Sequence, residues 1–167
     1  VEVRAAATAA DLDEVRRLWR AFLVWQDERH AEHLDQLHAY FDPDAWEAEL
    51  AGLPGRYAEA EGGALLLARA DDGAAVGAVA LRRSAQGVAE MKRMYVERRG
   101  VGAGRALGEA VVAEARRLGY ARLVLDTGPL QAEAIGLYRS LGFEEVPAYW
   151  DAPEGLRQWL LFFSREL

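Results

Sequence analysis

Cysteine is absent from the 167 residues, and lysine occurs once, at Lys92. The first absence removes disulfides, thiolate zinc sites and cysteine nucleophiles together. The second leaves arginine to carry nearly all the positive charge, a bias that points to no function of its own. Long apolar runs are also missing: "ALLLA" (64–68) is among the longest, far short of a bilayer span. The opening "VEVRAAATAA" lacks the basic-then-apolar pattern of a secretory signal, so the expected location is cytoplasmic. No excess of basic residues exists to meet a phosphate backbone. With a net charge of −7, nucleic acid is not an expected partner. What is present, at 51% hydrophobic residues, suffices for a core, and residues 1–167 read as a single domain.

Residues 1–6 alternate as a strand. Thr8 stands three residues before Asp11, as in a capping box, and opens a helix carrying Leu12, Val15, Leu18, Trp19, Phe22 and Leu23 at helical spacing. That helix is expected to end between 26 and 30. Residues 31–61 read as helical pieces broken at Pro43 and at "GLPG" (52–55). "ALLLARA" and "AAVGAVALRR" flank "DDG" as a hairpin, and "GVAEMKRMYV" (87–96) follows as a third strand. A helix bearing Leu107, Val111, Val112, Ala115 and Leu118 stops at Gly119. A strand at 121–127 and a helix at 131–141 come next, and "FEEV" and "RQWLLFFSREL" read as closing strands. This order predicts an α/β (α+β) mixed sheet of six to seven strands with about four helices on both faces.

Between the third hairpin strand and the next helix lies "RRGVGAGRAL" (98–107), with three glycines in five positions and three arginines around them. Glycines at a strand-to-helix turn let an anion approach the unpaired N–H groups of the helix start. A tight turn that binds nothing would use the same residues. The dinucleotide pattern G-x-G-x-x-G fails: its third position falls on Arg105 counted from Gly100 and on Leu107 counted from Gly102. The P-loop fails for want of G-K-[ST].

Arg99-x-x-Gly102-x-Gly104 does match R/Q-x-x-G-x-G/A, and here the chain resembles the GNAT N-acetyltransferase superfamily. "AEMKRMYV" upstream is similar to that family's fourth strand, "GRALGEAVVAEARRLGYARLVLDT" to its third helix and fifth strand, and "EAIGLYRSLGF" (133–143) to its second signature. "ELAGLPGRY" (49–57), "LDT" (125–127) and "PAYW" (147–150) resemble segments of a bacterial branch. Two positions depart from the pattern. Val96 reaches Arg99 in three steps, shorter than V-x-P-x-x-R-G, and the frequent Asn ahead of the following helix is Gln131.

The resemblance implies a GNAT-like fold with splayed fourth and fifth strands and acetyl-CoA as acetyl donor. Its pyrophosphate would lie against the backbone of Val101, Gly102, Ala103, Gly104 and Arg105, with Arg98, Arg99 and Arg105 favouring the anion. The pantetheine arm would pair beside Met94, Tyr95 and Val96, close to Gln131. The reaction implied is direct transfer to an amine in a ternary complex. It needs a proton acceptor for the amine, donors for the oxyanion and a proton for the thiolate. Tyr138 matches the family tyrosine near the sulfur and is the implied acid; its other reading is a ring packed on the neighbouring strand. Glu90 matches the fourth-strand glutamate that some members use as a base; its other reading is a carboxylate paired with Lys92 or an arginine. Backbone N–H groups near Tyr95 and Val96 are the implied oxyanion donors.

The remaining features are less pointed. His30, His33 and His38 lie near Glu28, Glu32 and Asp35 without H-E-x-x-H spacing, so no metal is expected, though one histidine could touch the acceptor. No G-x-S-x-G occurs. Residues 26–61 hold ten acids and two bases, either a solvated face or a wall attracting a cationic small-molecule or peptide amine. Two other readings stay open: an acyl-CoA-binding sensor of the same fold without turnover, and a nucleotide-binding α/β domain. The sequence is compatible with a monomer or a homodimer.

Overall fold

A computed structural model describes all 167 residues. The strands are β1 (Glu2–Ala5), β2 (Ala64–Arg69), β3 (Ala75–Ala85), β4 (Val88–Val96), β5 (Arg122–Thr127), β6 (Glu144–Val146) and β7 (Leu161–Glu166). The helices are α1 (Ala9–Arg29), α2 (Leu34–Tyr40), α3 (Pro43–Ala51), α4 (Ala103–Arg117), α5 (Ala132–Ser140) and α6 (Glu154–Trp159). One seven-stranded sheet runs β1-β2-β3-β4-β5-β7-β6, antiparallel except for β4 beside β5. This is the mixed sheet expected from the order of elements.

Local chemistry accounts for the element ends. The Thr8 hydroxyl accepts from Asp11 N–H at 3.1 Å while Asp11 accepts from Thr8 N–H at 3.2 Å, closing the capping box of α1. Asp42 caps α3 from the other side of Pro43, whose fixed φ and missing N–H suit a first helical position. Each sheet face has its own core. Leu107, Val111 and Ala115 of α4 meet Leu123, Leu125 and Phe163 on one face. Trp19 and Phe22 of α1, with Phe41, Trp46 and Tyr57, cover Leu65, Leu67, Ala78 and Ala80 on the other.

Two sequence expectations are corrected. Six helices form rather than about four, and residues 157–159 belong to α6 rather than to a closing strand. At six residues α6 is too short to show a helical period, and the apolar run that begins at its end hides the boundary.

The sheet opens at its centre. β4 and β5 pair only from Val88–Glu90 to Arg122–Val124 and then diverge. β4 is bulged at that point: Ala80 faces Lys92 but Ala78 faces Tyr95, so β4 carries one residue more than β3. Arg93 takes a φ of 59°, the left-handed region that non-glycine residues avoid. Its guanidinium is held under α2 and α3. Glu49 accepts from it at 3.2 and 3.1 Å, and the Trp46 and Phe41 rings lie 4.8 and 4.9 Å away. The Arg93 and Glu49 side chains are only 10% and 14% exposed.

A buried pair loses more from losing one member than from losing both. Glu49→Leu should therefore lower unfolding free energy by about 3–5 kcal/mol, because it strands the Arg93 cation. Glu49→Leu combined with Arg93→Met should recover part of that loss in urea denaturation. Equal losses in the single and double variants would show that the pair does not hold the bulge.

Candidate active site

The glycine loop and the first turn of α4 form one wall of a cavity of about 360 Å³. Gly100 and Gly102 both sit at a φ of 79°, which glycine adopts without strain, and a Cβ built on either would meet nothing within 4 Å. No side chain caps α4, and its first-turn residues Ala103, Gly104 and Arg105, whose N–H groups lack partners within the helix, line this space. Met94, Tyr95 and Val96 of β4 line the cavity, with Arg99, Gly102, Ala103, Gly104 and Arg105 of the loop and Gln131 at the start of α5. The structure therefore brings nine of the expected donor-binding residues together. Val101 is not among the lining residues; it packs against the α4-side core.

Sequence reasoning missed one feature of this wall. Glu133, in the first turn of α5, accepts from Arg29 at 2.7 Å and from Arg99 at 2.9 Å. Its own backbone N–H and the Arg29 guanidinium lower its carboxyl to about 2. Trp25 lies between the two arginines, 5.1 Å from Arg29 and 6.0 Å from Arg99.

Where β4 leaves β5, a second and much smaller cavity of about 40 Å³ opens. Met94 and Gln131 line both spaces, so the two adjoin. Tyr138 reaches the small cavity from α5 and is 5% exposed. Its ring packs against Phe143 and Phe163 at 6.1 and 6.2 Å, and burial pushes its phenol well above the ordinary tyrosine range. The ring is thus part of the core while the residue borders the cleft.

Glu90 sits differently. It is 1% exposed and does not line the small cavity. It accepts from Arg82 at 2.6 Å, Tyr149 at 2.7 Å and Lys92 at 3.2 Å. Burial alone would raise its carboxyl, but the Lys92 and Arg82 charges and the Tyr149 hydroxyl outweigh burial and hold it below the usual range. Asp126 of β5 is the cavity's own carboxylate. It accepts from Tyr40 at 2.5 Å, Trp150 at 2.8 Å and Lys92 at 3.3 Å. Burial pushes the Tyr40 phenol up to about 12. Asp126 lies in the "LDT" segment and Tyr40 in no motif, and their sequence separation of 86 concealed the contact. The segment 147–153 is anchored over the splay by Tyr149 and Trp150, one on each carboxylate.

The acids of 26–61 mostly face solvent, and Glu49, which turns inward, is taken up by Arg93 and Arg56. The charged residues lining the small cavity are Lys92, Arg93 and Asp126. No group of three or more His, Cys, Asp or Glu is arranged to hold a metal ion.

A mixed sheet splayed beside a glycine-rich strand-to-helix turn defines an acyltransferase-like architecture. The chain belongs to the acetyltransferase (GNAT) family, whose model matches residues 12–143. An uncharacterised N-acetyltransferase of Schizosaccharomyces pombe is 38% identical over 94 residues, covering 54% of this chain and 58% of that relative. The chain thus spans little more than half the length of that curated relative. An acetyltransferase of the GNAT family from Staphylococcus aureus has the same fold (TM-score 0.72, 19% identity, 99% of this chain and 98% of that one). So does a Salmonella typhimurium protein solved with its cofactor acetyl-CoA (TM-score 0.65, 21% identity, 99% and 92%).

The depressed Glu90 carboxyl has a consequence for stability. A carboxyl lower in the folded than in the unfolded state stabilises fully above its unfolded value, about 4.3 for glutamate. That contribution fades as pH falls through the lower folded value. Urea midpoints of the wild type should therefore drop on acidification below about pH 4.3. Glu90→Gln should be less stable at neutral pH and show a shallower acid decline. Parallel acid declines in the two proteins would show that Glu90 is not held as an anion.

Proposed function

We propose that the protein transfers an acetyl group from acetyl-CoA to an amine by direct attack in a ternary complex. The observation that carries this reading is the junction of the two cavities at Met94 and Gln131. It lets a phosphate-bearing donor on the loop present its thioester beside Tyr138.

The first turn of α4 supplies N–H donors and a partial positive charge for the pyrophosphate, and Arg99 and Arg105 add full charges. Past Glu90, the β5-facing edge of β4 has no strand partner. An amide-bearing arm would add there as an extra strand along Met94–Val96. Backbone N–H groups near Tyr95 and Val96 would stabilise the oxyanion. Tyr138 would protonate the departing thiolate. Its raised phenol pKa keeps the proton on the ring until the sulfur carries charge. Glu90, with both oxygens tied to Arg82, Tyr149 and Lys92, takes the role of an anion fixing Lys92 rather than that of a base. An acceptor coming in past Tyr40 and Trp159 could place only its amine-bearing end in a space of about 40 Å³. A small amine or a peptide amine would both satisfy this limit.

A panel of primary amines, with free thiol release from acetyl-CoA as readout, tests the activity. Tyr138→Phe should lower kcat by about 10²–10⁴-fold while leaving the acetyl-CoA Kd nearly unchanged. Gly104 has ordinary backbone angles and lines the donor cavity, so Gly104→Glu should abolish donor binding by setting a carboxylate against phosphate. Tight acetyl-CoA binding with no turnover of any amine would leave an acyl-CoA-binding module in place of an enzyme.

A further inference from the structure

Acetyl transfer to an amine requires a group to receive the proton that nitrogen sheds on bonding to carbon. The polar side chains beside the small cavity are mostly committed. Asp126 already accepts three hydrogen bonds, from Tyr40, Lys92 and Trp150. Tyr40 donates to Asp126, and Lys92 and Arg93 are cations. Both oxygens of Glu90 are taken, by Arg82 on one side and by Tyr149 and Lys92 on the other.

One basic atom is uncommitted. His30, the residue after α1, is 0% exposed. Its Nδ1 lies 3.2 Å from the Gln26 carbonyl oxygen. A carbonyl can only accept, so Nδ1 carries the hydrogen and the Nε2 lone pair is free. Nε2 is buried and has no partner. It is packed against the turn that follows β5: a Cβ built on Gly128 would lie 2.6 Å from Nε2. His30 is not itself a lining residue, but its neighbours Gly128, Gln26 and Trp159 line the small cavity, as does Gln131 beside Gly128. Gln131 donates to Gln26 at 3.2 Å and so ties this group to the donor side. The other unpartnered buried polar atoms are the indole N–H groups of Trp19, Trp46 and Trp159, which can only donate, so the His30 nitrogen is the one of the four that can take up a proton.

We propose that His30 is the proton acceptor of the reaction, receiving the amine proton on Nε2 past the bare backbone of Gly128. The assignment rests on the acetyl transfer proposed above. The amine lone pair forms the C–N bond and its proton passes to Nε2, directly or across one water; the cavity of about 40 Å³ exceeds the ~10–15 Å³ one water needs. The C–S bond breaks, sulfur keeps the electron pair, and Tyr138 gives it a proton. His30 has then gained one proton and Tyr138 lost one, and exchange with solvent restores both. Burial lowers the His30 pKa, the Gln26 carbonyl opposes this, and His33 and Arg29 lower it further. Arg29 is itself paired with Glu133, and from α6 the uncharged Trp159 ring faces the imidazole at 5.1 Å. The imidazole is therefore neutral and competent at pH 7, and activity should fall as acid protonates it below about pH 6.5.

Thiol release from acetyl-CoA is followed from about pH 5 to 9, a range bracketing the imidazole. The acceptor is the amine turned over fastest in the panel, or water alone, as acetyl-CoA hydrolysis, if no amine reacts. His30→Asn can still donate to Gln26 but has no basic nitrogen. Its kcat/KM should fall by about 10²–10⁴-fold, lose the acid limb and regain activity with added imidazole. Its acetyl-CoA Kd should match the wild type, and His33→Gln and His38→Gln should behave as wild type. Nitrogen NMR of the wild type, with three histidines to assign, should show His30 protonated on Nδ1 and titrating at the midpoint of the acid limb. Equal rates for wild type and His30→Asn at every pH would overturn the assignment. So would a His30 proton on Nε2 or a mismatch between titration and limb, and these hold even if the variant does not fold. A wild type that binds acetyl-CoA but never releases thiol would overturn the transfer reaction itself, whereas an active wild type with an equally active variant would overturn only the role of His30.

Discussion

The bulge at Arg93 is the constraint on which the cleft depends. A regular β4 would continue beside β5 to the end of both strands and leave no gap. Instead one extra residue enters β4, Arg93 adopts a left-handed φ, and pairing with β5 ends at Glu90. A non-glycine residue in that region costs of order 1–3 kcal/mol and persists only where surroundings over-determine it. Here they do. Glu49 grips the guanidinium from α3, and the Tyr40, Phe41 and Trp46 rings enclose it. The aromatic side of the molecule is thus bound to the geometry of the site: α2 and α3 hold the sheet open as well as covering it.

The same bulge sets the charges. Three buried or half-buried cations, Arg82, Lys92 and Arg93, face three carboxylates, Glu49, Glu90 and Asp126. Each of the six has at least one partner of opposite sign, so the low-dielectric interior holds a balanced set and not an isolated ion. The pairs join α3, β3, β4 and β5, and Tyr149 and Trp150 bring segment 147–153 onto the same carboxylates. Pairing of this kind adds little net stability over an apolar core, but it fixes positions. That favours a site whose reacting groups must stay within fractions of an ångström.

Legibility in the sequence followed the range of each interaction. The glycine loop, the Thr8–Asp11 cap, the hairpin at Gly73 and the α4 stripe are local, and their spacing in the chain is their spacing in space. The donor-binding set and Tyr138 lie in short motifs and could be named one by one. Asp126, Trp150 and His30 stand out in the sequence, in "LDT", "PAYW" and the histidine cluster, but their contacts do not, because no local pattern links residues such as Tyr40, Asp126 and Trp150 that meet across 24 to 86 positions. Lys92 left a trace, as the single lysine in the chain, set in β4 between Met91 and Arg93. The alternation of β4 would have placed it, but the next residue is the bulge, where alternation fails. Glu90 was legible as a residue and ambiguous as a role. Its match to a glutamate position could not show that Arg82, Lys92 and Tyr149 had already taken its oxygens.

Burial of polar groups locates the chemistry independently of any motif. The buried polar or charged residues of the chain are Gln26, His30, Glu90, Lys92, Thr127 and Gln131. Gln26, Lys92, Thr127 and Gln131 line the small cavity; Glu90 bonds to Lys92, and His30 to Gln26. None lies elsewhere in either core. Desolvating an amide or an ion is unfavourable wherever it occurs, and a fold selected for stability alone would spread such groups to the surface. Concentrated around one gap in the sheet, they supply fixed dipoles and charges where water is excluded, which is the condition under which electrostatic preorganisation is strongest. The apolar remainder of the molecule, with α4 and α5 on one face and α1 to α3 on the other, provides the rigidity that keeps those dipoles aimed.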